Sequence, residues 1–201
     1  MTRRLVVATG NAKKLAELQA LLAHLDVAVV PMTDLGVPSP PEDGDTFEAN
    51  ALLKARACAA ATGAPAIADD SGLEVDALGG APGVHSARYA GVHGDDAANN
   101  AKLVAALADV PPRERTARFV AAVALVTPDG TEHVVRGTME GRVVEEARGA
   151  NGFGYDPHFV SDPAGDGRTN AELSPEEKNT ISHRGAALRA ILPRVEALFG
   201  G

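Results

Sequence analysis

The sequence predicts an α/β protein built on a mixed β-sheet. Three observations carry that expectation. Strand-like and helix-like segments alternate through the first 68 residues, and two β-rich segments, 114–127 and 131–144, flank Pro128-Asp129-Gly130, a hairpin that requires antiparallel pairing. Helix-starting residues stand at Thr46, Asp95 and Ser174. The 201 residues are read as one domain, 1–201, of at most two closely packed lobes, and a chain of this length buries about 70% of its unfolded surface without staples.

Residues 4–8 form an apolar strand, Thr9-Gly10-Asn11 turn it, and Leu15, Leu18, Leu22 and Leu25 recur at helical spacing to about residue 25. A second strand covers 27–32, and the proline-rich segment 33–45 is a loop. Thr46 caps a helix through Thr62 that Gly63 and Pro65 end, and 65–68 follow as a buried strand. From Asp69 to Gly94 no period holds and glycine is frequent, so the sequence reads as a long loop, functional or hiding short strands. Asp95 caps a helix to about Asp109, the hairpin follows, and 149–157 is a glycine-rich turn before a short strand near Phe159. Ser174-Pro175-Glu176-Glu177 is a capping box with proline at the first helical position, and a last helix covers 185–199.

Composition narrows the functional classes. A net charge of −8 argues against a sequence-independent grip on nucleic acid or an anionic membrane, leaving a small anionic ligand held by locally placed cations. Cys58 is alone, so no disulfide framework or multi-cysteine zinc site exists, and within its alanine-rich run it reads as a small core filler suited to a reducing cytosol. The apolar stretch 5–8 is too short for a signal-peptide core and the longest apolar run, 119–126, is far below spanning length, so the protein is expected in the cytoplasm. With five Phe, two Tyr and no Trp the core must be aliphatic, and Phe153 and Tyr155 in a turn call for a reason.

Five segments can carry chemistry. Thr9-Gly10-Asn11-Ala12-Lys13-Lys14 lies where a buried strand meets a helix start, where free N–H groups and the helix dipole attract anions. Lysines there sit at the wrong end of the dipole unless an anion binds, although Lys13 paired with Glu17 and solvated lysines would serve as well. Neither G-x-x-x-x-G-K-[ST] nor G-x-G-x-x-G occurs. Asp69-Asp70-Ser71-Gly72, after a buried strand, offers carboxylates to Mg²⁺, but persistent strand geometry would send the two side chains to opposite faces; an Asx-turn without metal fits equally. Asn50 and Lys54 share one helix face, though alone they read as surface residues, and Glu42 in the preceding loop is a further candidate carboxylate. Asn151-Gly152-Phe153-Gly154-Tyr155-Asp156-Pro157 sets an aromatic between glycines, which lets a flat group such as a purine approach its face. Lys178 with Ser182-His183-Arg184-Gly185 supplies donors for a base oxygen or phosphate, or complements a helix dipole. The other histidines show no zinc spacing.

Together these segments resemble the inosine triphosphate pyrophosphatase family, enzymes that hydrolyse non-standard purine nucleoside triphosphates. The resemblance rests on ATGNAKK at 8–14, TFEANALLKA at 46–55, IADDSGLEVDALGGAPGVHSARYAG at 67–91, NGFGYDP at 151–157 and EEKNTISHRG at 176–185, with one extra lysine, Lys13, before the motif lysine Lys14. It implies an elongated mixed β-sheet flanked by helices, two lobes around a central nucleotide-binding cleft, a homodimer, and Mg²⁺-dependent release of pyrophosphate and a nucleoside monophosphate. By motif, Thr9, Gly10, Asn11, Ala12, Lys13, Lys14 and Lys54 are expected to hold the triphosphate, and Asp70 to activate water and bind Mg²⁺ with Glu42 and Asp69. Ser71 is expected to touch substrate, Phe153, Gly154, Tyr155 and Asp156 to line the base, Lys178 to touch the nucleotide, and His183 with Arg184 to read a 6-oxo group. A Maf-type pyrophosphatase and a nucleotide-binding regulator without turnover are the alternatives. His183-Arg184 disfavours the first, and Asp69-Asp70 with Lys14 and Lys54 disfavours the second.

Overall fold

The structure, a computed structural model, describes residues 3–200. Among them six strands, β1 (Arg4–Val7), β2 (Ala28–Pro31), β3 (Ala66–Val75), β4 (Thr116–Val126), β5 (Glu132–Val143) and β6 (Phe159–Ser161), are hydrogen-bonded in the order β2-β1-β3-β4-β5-β6. β1 runs parallel to β2, Leu5 opposite Val29, and to β3, Val7 opposite Ile67, whereas β6 is antiparallel to β5, Arg142 opposite Val160. The sheet is therefore mixed, as the sequence predicts. Five α-helices accompany it among the described residues: α1 (Ala12–Leu21), α2 (Phe47–Thr62), α3 (Asp96–Ala106), α4 (Pro175–Ile181) and α5 (His183–Phe199).

Side-chain patterning follows from position. β1 is paired on both edges, and Leu5, Val6 and Val7 are buried in succession. Residues 120–126 of β4 are likewise all buried. In β5 only alternate positions, Gly137, Met139, Gly141 and Val143, are buried while Thr138, Glu140 and Arg142 face solvent, the period of two of a half-covered strand.

The chain forms two compact units. The first comprises the residues up to Asp70, Ala122–Arg136 and those from Ala187, and the second Ser71–Ala121 and Gly137–Ala186. Buried Leu5, Leu18, Leu22, Phe47, Cys58, Leu125 and Ile191 belong to the core of the first. The second packs Leu73, Val75, Leu103, Leu107, Met139, Val143, Tyr155 and Phe159, with the ring of Phe119 edge-on to Phe159 at 4.7 Å.

The capping signals place the helices closely. Thr46 accepts the Ala49 N–H at 3.1 Å and Gly63 closes α2 at φ +63°, where L-residues are strained. Ser174 and Glu177 form the capping box of α4 around Pro175, and Asp95 caps α3. Two expectations need correction. The helix expected to residue 25 ends at Leu21, because Leu22 and Leu25 pack in a turn rather than a further helical turn. The long loop expected from Asp69 instead begins as strand: β3 continues through Asp69 and Asp70 to Val75. Gly72 permits this without a turn, since a Cβ there would overlap the Ser86 hydroxyl that receives the Leu73 N–H at 2.9 Å.

Candidate active site

In the first unit the functional side chains are assembled by charge. Asn11 at the end of the β1–α1 turn accepts the Lys14 N–H at 3.3 Å and donates its own N–H to Thr9 Oγ1 at 3.1 Å, so its side chain caps the helix start. Thr9 is half-buried, and Gly10, Asn11 and Ala12 are exposed. The side chain of Lys13 lies outside the described residues. Lys14 Nζ reaches Asp69 Oδ2 at 2.6 Å. Because β3 persists, Asp70 turns the other way, as successive strand residues do. Its Oδ2 accepts from Asn50 Nδ2 at 3.0 Å and its Oδ1 lies 3.5 Å from Lys54 Nζ.

Asn50 and Lys54, read from sequence as surface residues, are buried at 1% and 6% exposure. The reason is the proline-rich loop, which folds over α2. Gly44 N–H donates to Asn50 Oδ1 at 2.8 Å, and Glu42 Oε1 comes to 2.9 Å from Lys54 Nζ. Asn50 thus ties the loop to β3 with one amide, its oxygen taking the loop and its nitrogen the catalytic-candidate carboxylate. Lys54 draws Glu42 and Asp70 to one point. A buried ammonium requires such partners, and removing a partner from a buried pair costs about 3–5 kcal/mol.

In the second unit the candidates sit in the 151–157 loop, α4 and the start of α5, and the loop separates its two aromatics. Phe153 is 76% exposed, whereas Tyr155 is buried in the core and donates its hydroxyl to the Ser86 carbonyl at 2.8 Å. Burial chiefly, with Tyr89 and Asp96 nearby, raises the Tyr155 hydroxyl well above the ordinary tyrosine range. Asp156 is buried at 1% exposure: Oδ2 accepts from the Phe153 N–H at 2.9 Å and from Lys178 Nζ at 2.5 Å, and Oδ1 from Asn170 Nδ2 at 3.2 Å. Gly152, at φ +79°, leaves the space that this carboxylate fills. The glycine there serves Asp156 rather than an approaching ring. Lys178 also lies 5.1 Å from the centroid of Phe153, a cation over a ring face. Ser71 is half-buried within β3, immediately after Asp70.

His183 and Arg184 open α5, with the Gly185 N–H capped by Ser182 Oγ at 3.0 Å. The sequence left open whether they complement a helix dipole. They stand between the negative C-terminal end of α4, which a cation complements, and the positive N-terminal end of α5, which suits an acceptor or anion. The His183 ring stacks on Phe119 at 5.1 Å, which fixes its plane. Burial pulls the Arg184 guanidinium down to about 10, so it remains charged at neutral pH but is short of solvent.

Against this geometry, residues 5–194 match the Ham1 family. The chain belongs to that family. It is 57% identical over 199 residues to the dITP/XTP pyrophosphatase of Nocardia farcinica, covering 97% of this chain and 96% of that one. It is 53% identical to the dITP/XTP pyrophosphatase of Mycobacterium tuberculosis over 205 residues, 100% and 99% of the two chains. Among solved structures, a Ham1 protein from Coxiella burnetii matches with a TM-score of 0.91 at 44% identity, covering 97% of this chain and 99% of that chain. A nucleoside-triphosphatase, dITP/XTP pyrophosphatase, from Mycobacterium abscessus matches with a TM-score of 0.82 at 54% identity, covering 94% and 99%.

Sequence reasoning missed Asn170, Asp96 and Asn100. Asn170 has no motif around it and contributes only through Asp156. Asp96 was hidden beside Asp95, whose capping role accounted for the acidic pair.

Proposed function

We propose that this Ham1-family protein hydrolyses non-standard purine nucleoside triphosphates, ITP, dITP and XTP, to the monophosphate and pyrophosphate. The observation that carries the reading is the convergence of Glu42 and Asp70 on the buried Lys54, with Asn50 holding Asp70 from the side. That set joins a phosphate-binding cation to carboxylates able to accept a proton, and the names of the related enzymes agree with it.

The donor chemistry fits Mg²⁺, a hard cation that takes one or two carboxylates and completes its shell with water and phosphate oxygens. Glu42 and Asp70 already gather around one cationic centre, so they would hold it, whereas Asp69, expected to share the ion, points to the other face of β3 beside Lys14. Bound there, Mg²⁺ would offset negative charge on the triphosphate oxygens. The chain's own residues carry the remaining steps. Lys14, Lys54 and the N–H groups of Gly10 and Ala12, with Lys13, orient the triphosphate, and Ser71 adds a hydroxyl contact; the Thr9 and Asn11 N–H groups are already held by the Val7 carbonyl and Thr9 Oγ1. Asp70 takes a proton from the attacking water as the water oxygen bonds to one of the two phosphorus atoms of the α–β anhydride, and the bridging P–O bond breaks with its electron pair on the departing phosphate oxygen, giving the monophosphate and pyrophosphate.

The base is read by different chemistry. The exposed Phe153 ring gives a purine a surface to stack on, with Lys178 at its face. Tyr155 and Asp156, expected to line the base, are buried instead: Tyr155 bonds the Ser86 carbonyl in the core and Asp156 holds the Phe153 N–H. His183 and Arg184 donate to the 6-oxygen of hypoxanthine or xanthine, where adenine would present an amino group, donor against donor. Incubation with Mg²⁺ and a panel of triphosphates tests the reading. Pyrophosphate from ITP and XTP in excess over ATP is expected; orthophosphate release, or no turnover, overturns it. The family resemblance further assigns a homodimer working in the cytoplasm, and no described helix is long and apolar enough to cross a membrane. Light scattering at micromolar protein that gave a mass near 20.6 kDa would overturn the dimer.

A further inference from the structure

Helix α3 holds the aromatic loop by one residue. Asp96 and Asn100, one turn apart and so on one face of the helix, both reach Gly154: Asp96 Oδ2 accepts its N–H at 2.7 Å, and Asn100 Nδ2 donates to its carbonyl at 2.8 Å. Asp96 is not needed for the helix start, because Asp95 already caps it by accepting the Ala98 N–H at 3.0 Å. Asn100 keeps its orientation at a cost, since the carbonyl of Gly154 demands the nitrogen and leaves Oδ1 buried with no hydrogen-bond partner. No atom lies within 4 Å of where a Cβ of Gly154 would be, so packing does not fix this residue; its hydrogen bonds do.

The neighbouring residue is held as firmly. The Phe153 N–H donates to Asp156 Oδ2 at 2.9 Å, and its carbonyl accepts the Asp156 N–H at 3.3 Å. Every backbone polar group of Phe153 and Gly154 is therefore paired, in a segment whose side chain at 153 is 76% exposed. A loop with an exposed ring and a fully paired backbone has the point and direction from which that ring projects fixed before anything binds, and preorganisation of that kind strengthens binding by removing an ordering cost.

We propose that Asp96 and Asn100 are positioning residues that clamp Gly154 and thereby hold the backbone from which the Phe153 ring projects to take the purine. The proposal rests on the reading of Phe153 as the stacking surface. The clamp acts alike on ground and transition states, so its loss should raise KM for the nucleotide and leave kcat alone.

The test compares Asp96→Ala, Asn100→Ala, the double variant, Asp96→Asn and Phe153→Ala. Each alanine variant should raise KM for ITP about three- to tenfold, the double variant more, with kcat within twofold. Inhibition by inorganic tripolyphosphate, which has no base, should stay at the wild-type value. Asp96→Asn keeps an acceptor oxygen and should remain near wild type. Hydrogen exchange of the segment 151–157 should quicken in the double variant. An unchanged KM in the double variant beside a raised KM in Phe153→Ala overturns the clamp alone. A wild-type KM in Phe153→Ala overturns the stacking reading and this proposal with it. Equal losses in kcat, ITP affinity and tripolyphosphate affinity, or unchanged exchange, show a general structural role and overturn the proposal.

Discussion

In the first unit Lys54 stands between Glu42 and Asp70 and Lys14 holds Asp69, whereas in the second unit Phe153 and Gly154 are held through their backbone by Asp156, Asp96 and Asn100. On the proposed function the two arrangements answer different tasks. Phosphates are the same in every nucleoside triphosphate, so buried ions of fixed charge can hold them without regard to base. A base differs from its rivals by single donor or acceptor groups, and telling them apart needs donors and ring faces fixed in direction. Substitutions in the first unit should therefore act on all nucleotides alike, and those in the second should act on some more than others.

The largest expected effect belongs to Asp70. Asp70→Asn removes the group that can take a proton while keeping its shape, and general-base loss costs about 10²- to 10⁴-fold in rate. The loss should be the same for ITP, XTP and GTP. A rate within a few-fold of wild type would remove Asp70 from the mechanism, and a loss confined to one base would contradict the division between the units. Next comes Arg184→Ala. An unpaired buried donor costs about 1–3 kcal/mol, so the ITP over ATP ratio of kcat/KM should fall by about five- to 150-fold while the ITP over GTP ratio hardly moves, since guanine shares the 6-oxygen. If both ratios held while activity fell, Arg184 would be a phosphate or structural residue.

How far the sequence reveals each unit follows from the same contrast. Thr46, Gly63, Ser174 and Pro175 act on their own helix ends, so their local signals place α2 and α4. The residue types of the charge cluster were legible, but the alternation that sends Asp69 and Asp70 to opposite sides follows only from a strand that the sequence pattern ends at residue 68. Burial of Asn50 and Lys54 was not legible, because it depends on Gly44 and Glu42 folding back over α2, a contact no period encodes. The extent of β3 was hidden for a related reason. Its strand pattern is broken by two aspartates and a glycine, and the partners that make this tolerable, Lys14, Asn50, Lys54 and Ser86, are remote in sequence. In the second unit the scarcity of aromatics flagged the 151–157 loop, but that Phe153 faces out and Tyr155 in is decided by the buried Asp156 and the Ser86 carbonyl.

A smaller effect separates the two lysines of the first unit. Lys54 is buried between two carboxylates, so Lys54→Ala should lower both activity and thermal stability, the latter by about 3–5 kcal/mol. The Lys14 side chain is 28% exposed and its removal takes the cation from one buried carboxylate, Asp69, so Lys14→Ala should cost activity for every base alike while lowering stability less than Lys54→Ala. Thermal unfolding beside kinetics on ITP and GTP measures both. Equal destabilisation by the two substitutions would show that the charge cluster is no more buried at Lys54 than at Lys14.

The smallest effect is expected at Cys58, which lies in α2 with Asn50 and Lys54 but in the alanine-rich core. Burial pushes its thiol up to about 11 from the ordinary 9.0, because the interior penalises the thiolate. The sign of the linkage follows. The folded state holds the proton more tightly than the unfolded chain, so this contribution to stability is whole below pH 9 and is lost as pH rises through about 11. Cys58→Ala should leave kinetics on ITP and GTP at wild-type values, lower stability slightly at pH 7, and flatten the fall in stability between pH 9 and 11. A thiol reagent at pH 8 should label the native protein slowly and the unfolded protein fast. If Cys58→Ala instead slowed turnover of every nucleotide, the back of α2 would be shown to set the position of Asn50 and Lys54, and losses in the first unit could no longer be ascribed to charge alone.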